Sequence, residues 1–298
     1  TVGDIKGIGL KILFNSLKKK KIKNVILFCN NKIIESYIKR EKINLKTNLI
    51  NDNKKISYSK NILNVYSYKT KSLEENTYKS LKFAYIFCKK KICIGLITLP
   101  LRKDIIINKI DRNFIGHTEY FQKLDKKQYS NMILYHNRII ISSLTTHIKI
   151  NQISKIISNK IFIQNQIINL YKTLKIDFNI KNPKIVVSGL NPHAGENGKI
   201  GNEEIEIIAP TIKKLKKKGI NVDGPISADS MLISKNLKKY SCFIFIFHDQ
   251  ALIPFKYISQ FSGVNYTGNL SIIRTSPDHG TAYNLSKSKD ISNKSFLN

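Results

Sequence analysis

Three of the six histidines in this 298-residue chain stand just past a short apolar run. The run 139–144 leads through Thr145 and Thr146 to His147. The run 185–190 leads through Asn191 and Pro192 to His193. The run 242–247 leads directly to His248. In open α/β sheets, ligands gather at the carboxyl ends of strands. Three imidazoles at three strand ends suit joint ligation of one divalent metal ion, with positions left for substrate or water. One such histidine alone reads as a capped loop or a satisfied core residue. Recurrence at three equivalent places favours the metal. Asp249 suits an acceptor that orients an imidazole, and Asp229 suits the same role from a loop, where it serves equally well as a helix N-cap.

Two further segments carry candidate ligand groups. Gly3-Asp4-Ile5-Lys6-Gly7-Ile8-Gly9 opens the chain, but position 12 is Ile, so the dinucleotide fingerprint G-x-G-x-x-G is incomplete. Gly7 and Gly9 then read as a tight strand-to-helix turn. No Walker A motif is present. Near the end, Arg274-Thr-Ser-Pro-Asp-His-Gly-Thr281 is dense in polar and turn-forming residues and reads as a ligand-contact loop.

The elements that must position these groups follow from periodicity. Short apolar runs at 83–87, 92–99, 139–144, 185–190 and 242–247 alternate with helix-like stretches. One helical pattern covers 152–175. Another covers 203–218, with acids in its first turn, Lys in its last and Gly219 beyond. Alternation of this kind predicts an α/β protein with a mostly parallel sheet. The polar segment 44–75 reads as variable surface around short strands.

Composition excludes several classes. No apolar stretch approaches the roughly 18 residues a membrane helix needs. Four cysteines without a CxxC pair make no disulfide framework and fit a reducing, cytoplasmic compartment. The net charge of +31 invites a nucleic-acid reading, yet the chain holds 46 Lys, 5 Arg, 52 Ile and 31 Asn. AT-rich codons raise Lys, Ile and Asn together, whereas selection for phosphate contacts has no reason to raise Ile. Specific nucleic-acid readers also favour the Arg fork. Lysine runs at 18–21, 89–91 and 216–218 therefore read as solvated faces, with no nucleic-acid partner.

With those residues set out, the sequence resembles the 4-hydroxythreonine-4-phosphate dehydrogenase (PdxA) family along almost the whole chain. The blocks are Gly116-His-Thr-Glu119, Thr145-Thr-His147, Gly189-Leu-Asn-Pro-His-Ala-Gly-Glu196, Gly201-Asn-Glu-Glu-Ile205, Gly224-Pro-Ile-Ser-Ala-Asp229 and His248-Asp-Gln250 with Lys256. Gly263-Val-Asn265, Ile273-Arg-Thr-Ser276 and Asp278-His-Gly-Thr-Ala282 complete them. The resemblance implies a two-lobed α/β/α fold like the isocitrate and isopropylmalate dehydrogenases, with a central cleft. It implies an outer lobe of about 1–115 with 265–298, and a metal-binding, dimerisation lobe of about 116–264. It also implies a homodimer with a shared active site.

The implied reaction is NAD-dependent oxidation and decarboxylation of 4-phosphooxy-L-threonine, a small phosphorylated amino acid, in vitamin B6 biosynthesis. NADP is a possible replacement for NAD. The implied metal ligands are His147, His193 and His248, holding zinc, magnesium or cobalt. His117, Thr118, Lys256, Asn265 and Arg274 match substrate-binding positions, and Lys256 and Arg274 suit a phosphate dianion. Asp278, His279, Gly280 and Thr281 are the cofactor candidates.

The chain departs from the family at Ile5-Lys6, where Pro-Ala is usual, at Ala251 after His-Asp-Gln, and over 266–271. It also stops soon after the Asp-His-Gly-Thr block, which implies a shortened or absent terminal helix. Every metal and substrate position is nonetheless kept, so the expectation is an active enzyme. Two other readings are a sister dehydrogenase acting on a threonate 4-phosphate and a non-enzymatic basic binding protein on a decayed enzyme fold. The retained His147, His193 and His248 speak against the last.

Overall fold

The computed structural model describes residues 1–18, 22, 24–50, 56–57, 59, 62–286, 288 and 291–298. Of the lysine run 18–21 only Lys18 falls within them, and the segment 44–75 is described in part. In chain order the strands are β1 (Ile26–Phe28), β2 (Lys46–Ile50), β3 (Ile62–Tyr66), β4 (Gly95–Ile97), β5 (Asn131–His136), β6 (Ile139–Thr145), β7 (Ile185–Ser188), β8 (Val222–Ile226), β9 (Cys242–Phe247), β10 (Val264–Gly268) and β11 (Ile273–Pro277). The chain divides into two compact units, Thr1–Phe121 with Ser271–Asn298, and Gln122–Leu270.

In the Gln122–Leu270 unit the strand order is β10-β5-β6-β9-β7-β8. β6, β9, β7 and β8 run parallel, with Ile141 opposite Phe243 and Ile185 opposite Cys242. Side chains alternate along β9. Cys242, Ile244 and Ile246 join one core with Ile167, Leu170 and Leu174 of helix Lys160–Ile176 and with Ile212 and Leu215 of helix Ala209–Lys217. Phe243 and Phe245 join another with Met231, Tyr240, Ala251 and Phe255. Burial on both faces is why this strand reads as an unbroken apolar run.

The predicted mostly parallel sheet holds for those four strands, whereas β5 pairs antiparallel with both β6 and β10. A two-residue reversal joins β5 to β6. Asn137 and Arg138 both take positive φ there (46° and 69°), the conformation of a primed hairpin turn.

Two helical assignments also differ from the sequence reading. Residues 83–87, grouped above with the strand-like runs, lie inside helix Leu73–Lys89. Ser72 Oγ caps that helix by accepting the Glu75 N–H at 3.1 Å, and Leu81, Ala84, Tyr85 and Cys88 continue its buried stripe. A five-residue apolar run does not by itself separate helix from strand. The pattern over 152–175 divides into helices Ile153–Ile157 and Lys160–Ile176, because the Asn159 side chain accepts the Phe162 N–H at 3.1 Å and starts a new helix.

In the other unit, β1-β3-β2 form a parallel sheet, and β4 and β11 pair in parallel with Arg274 opposite Leu96. Its core packs Leu10, Ile12, Leu13 and Phe14 of helix Gly9–Lys18 against Leu27, Leu63, Val65 and Leu99. Among the described residues no helix is long and apolar enough to cross a membrane.

Helix Lys160–Ile176 tests this packing directly. Ile167 is fully buried, whereas Ile161 on the same helix is 66% exposed. Ile167→Ala should cost about 2–5 kcal/mol through lost burial and a cavity. Ile161→Ala should change stability by less than about 0.5 kcal/mol. Urea unfolding of the two variants beside the parent checks the contrast.

Candidate active site

Parallel pairing brings the carboxyl ends of β6, β9 and β7 side by side, so the segments carrying His147, His248 and His193 leave one edge of one sheet. The rings of His147 and His248 lie 5.7 Å apart between centres. Two imidazoles ligating one ion at about 2.1 Å place their ring centres roughly 5–6 Å apart, so this spacing suits a shared cation. His248 Nδ1 stands 2.7 Å from Asp249 Oδ1. Donation of that N–H to the carboxylate leaves Nε2 as the nitrogen that faces a ligand. His193 is exposed on the segment after β7. Among the described residues, no group of three His, Cys, Asp or Glu is already assembled closely enough to hold an ion. The donor chemistry fits a borderline divalent ion, with two of the three imidazoles gathered.

Two residues without a sequence-stated role tie these ends together. Gln250 Oε1 accepts from Ile246 N at 3.0 Å and from Ser188 Oγ at 3.3 Å, while its Nε2 donates to Gly189 O at 3.1 Å. One amide thus joins the end of β9 to the end of β7. Thr145 Oγ donates to Ile246 O at 2.8 Å and joins β6 to β9 in the same way.

The turn that carries His193 is left-handed over five residues, 193–197, with φ of 50°, 53°, 81°, 46° and 56°. Four of these are not glycine, and each costs about 1–2 kcal/mol relative to the right-handed form. Beneath the turn lies Glu204, 2% exposed. Its signal in the sequence is a carboxylate at helical spacing with the buried Ile208 and Ile212, on a stripe that is otherwise apolar. Asp229 and Asp249 line one cavity of about 370 Å³ with Phe245, Phe247, Gln250 and Pro254.

The candidate phosphate-binding residues fall in both units. In the Gln122–Leu270 unit, Lys256 Nζ lies 4.7 Å from the centre of the Phe261 ring, and Asn265 on β10 has its Oδ1 shielded without a hydrogen-bond partner. In the other unit Arg274 is 1% exposed. Its Nε donates to Thr98 Oγ at 3.1 Å and its Nη2 to the same oxygen, and the guanidinium lies 5.9 Å from the Phe121 ring centre. Burial lowers its pKa to about 9, opposed by Glu119, so it stays cationic at neutral pH. Thr98 Oγ thus accepts from one edge of the guanidinium. His117 begins helix His117–Leu124, Thr118 follows it, and His117 Nε2 is shielded from solvent with no hydrogen-bond partner among the described residues. Burial holds the His117 pKa well below the usual histidine value, helped by the positive charges of Arg274 and Lys103.

In this same unit the loop Asp278, His279, Gly280 and Thr281 packs on the Gly-rich turn. Ile8 N donates to Thr281 O at 3.0 Å, and a Cβ on Gly7 would lie 2.8 Å from that oxygen. Ser295 Oγ accepts the Asp278 N–H at 2.7 Å, and the Tyr283 hydroxyl donates to the Asp4 carboxylate. The absent side chain at Gly7 is thereby a packing requirement.

An α/β sheet with polar and imidazole groups gathered at the carboxyl ends of its parallel strands is the arrangement of an α/β enzyme. A family model described as pyridoxal phosphate biosynthetic protein PdxA matches residues 20–298, and the chain belongs to that family. The 4-hydroxythreonine-4-phosphate dehydrogenase of Wigglesworthia glossinidia brevipalpis is 37% identical over 307 aligned positions, which cover 99% of this chain and 92% of the relative. The protein of the same name from Sulfurihydrogenibium sp. (strain YO3AOP1) is 33% identical and covers 96% and 90%. The crystal structure of the Klebsiella pneumoniae 4-hydroxythreonine-4-phosphate dehydrogenase superposes with a TM-score of 0.84 at 26% identity, covering 100% of this chain and 93% of that one. Relatives so named are oxidoreductases, and this chain is an enzyme of that class.

The depressed His117 pKa has a sign that can be checked. Folding favours the neutral ring, so its penalty is absent above the unfolded value of about 6.5 and grows as pH falls below it. Stability should therefore fall between about pH 7 and pH 5.5, and His117→Gln should flatten part of that slope. Urea midpoints measured across this range for both proteins provide the test.

Proposed function

We propose that this chain is a NAD- and divalent-metal-dependent dehydrogenase that converts 4-phosphooxy-L-threonine to 3-amino-2-oxopropyl phosphate, releasing CO2 and NADH. The observation that carries this reading is the adjacency of β6, β9 and β7, which delivers His147, His248 and His193 to one sheet edge. The names of the 37% identical relative and of the Klebsiella structure support the substrate assignment. His147, His193 and His248 hold the ion, which is zinc, magnesium or cobalt. When bound, it supplies a Lewis acid toward an oxygen that gains negative charge. The nicotinamide supplies the hydride acceptor.

The remaining steps belong to this chain's own side chains. Asp249 fixes the tautomer of His248, and Asp229 contributes from the same cavity wall. Arg274, His117 and Thr118 in one unit, and Lys256 and Asn265 in the other, are the proposed phosphate contacts. His117 Nε2 and Asn265 Oδ1 are shielded polar atoms without partners among the described residues, and a polar ligand completes them. A neutral His117 also avoids like-charge repulsion with Arg274. Asp278, His279, Gly280 and Thr281 form the cofactor contact, for NAD or in its place NADP.

The active form is a homodimer with a shared site. Ile253, Tyr257 and Phe261 support this as an exposed apolar stripe, at four-residue spacing, that starts on the helix carrying His248 and Lys256. The four free thiols fit a cytoplasmic enzyme.

An NADH-release assay on the purified chain tests the reading. 4-Phosphooxy-L-threonine should be turned over faster than threonate 4-phosphate. Chelation should abolish turnover, and added Zn2+, Co2+ or Mg2+ should restore it. Full activity in a verified metal-free preparation would remove the metal from the scheme.

A second measurement addresses the phosphate. Arg274→Ala removes the charged hydrogen bonds, so kcat/KM for the phosphorylated substrate should fall about ten- to hundredfold, and Arg274→Lys should recover only part of that loss. The unphosphorylated analogue should be affected far less. An equal loss on both would assign Arg274 a structural role.

A further inference from the structure

We propose that Glu204 is a positioning residue for the metal site, acting through His193; the inference rests on the reading of His193 as a ligand. Glu204 Oε1 accepts the backbone N–H of Leu190 at 2.7 Å and of Asn191 at 2.8 Å, and Oε2 accepts from Asn191 Nδ2 at 3.0 Å. Among the described residues no cation pairs with this carboxylate. A buried carboxylate without a cation is retained only where its hydrogen bonds replace its hydration. Here they are spent on the residues that lead into the left-handed turn.

The glycines of this segment show how closely the carboxylate fits. A Cβ on Gly195 would lie 2.7 Å from Glu204 Oε2, and one on Gly189 would lie 2.9 Å from Oε1. Asn191 Nδ2 also donates to Glu203 Oε2 at 2.7 Å, and a Cβ on Gly201 would lie 2.3 Å from that nitrogen. The carboxylate therefore occupies space that side chains at 189 and 195 would fill. Four non-glycine residues of the turn hold positive φ, a state each would leave if unrestrained. Fixing Leu190 and Asn191 from below sets the point from which the turn starts, and so where His193 is presented. A second-layer carboxylate of this kind acts on affinity through geometry, without touching the ion.

A double-mutant cycle on the full chain separates this role from a merely structural one. Co2+ affinity is read by titration calorimetry and ligation by the visible absorption of bound Co2+. Glu204→Gln keeps the side-chain size and one oxygen acceptor. It should weaken Co2+ binding about ten- to hundredfold when His193 is present. In the His193→Ala background it should change affinity by less than about twofold. Equal losses in both backgrounds, or no loss in either, overturn the proposal. If His193→Ala weakens binding and Glu204→Gln does not, this inference alone fails. If His193→Ala leaves affinity unchanged, the ligand reading fails and this inference falls with it.

A measurement on the unmutated chain covers a variant that does not fold. Coupling is reciprocal, so Co2+ should slow hydrogen exchange at the Leu190 and Asn191 amides. Unchanged exchange at both amides overturns the proposal.

Discussion

The backbone ladder that holds β9 between β6 and β7 positions every group at the histidine edge. Those strands pair in parallel, with Thr145 opposite Phe247 and Val187 opposite Ile244. A one-residue slip would turn Cys242, Ile244 and Ile246 out of one core and Phe243 and Phe245 out of the other. Burial on both faces therefore resists any shift of the strand ends. Gln250 and Thr145 add side-chain bonds across those ends, so the loops begin from fixed points. The turn 193–197 that follows β7 is left-handed throughout.

The polar cluster around Arg274 follows a different logic. A guanidinium that is almost wholly buried must find its compensation inside the protein. It does so with Thr98, with the face of Phe121 and with the field of Glu119. The same burial and the same positive charge keep His117 neutral. One environment thus holds a cation and an uncharged imidazole side by side. A second charge there would be costly to bury beside the first.

The apolar runs at 139–144 and 242–247, the capping pattern ending at Gly219 and the motif blocks were all legible in the sequence, and so was family membership. The helix over 83–87 and the break at Asn159 were not, since both depend on a cap one or more turns away from the apolar residues that drew notice. The antiparallel strand β5 was hidden in the same way, behind the short turn at Asn137 and Arg138. Glu204 and Gln250 lay inside the quoted blocks, but their type and position said nothing of the backbone groups they would meet. Gly7 was read as a tight strand-to-helix turn; it does lie in a turn that leads into a helix, but no strand precedes it among the described residues, and its close approach to Thr281 was not visible.

Residue types and local spacing by themselves marked the candidate groups: imidazoles after apolar runs, one arginine among few, and acids beside the histidines. They also marked 242–247 as a strand buried on both faces, because an unbroken apolar run has no polar side to turn toward water, although the similar run at 83–87 is helical. Only the tertiary structure decided which strand ends lie together. β7 and β9 are separated by more than fifty residues in the sequence, and β8, which lies between them in the chain, pairs on the outer side of β7. That order is held by long-range backbone hydrogen bonds and by packing between segments far apart in sequence, and nearly every residue can make such backbone bonds, so they leave no mark in a local pattern. The burial of Arg274 and Glu204 was decided in the same way, by neighbours that the fold brings from far along the chain.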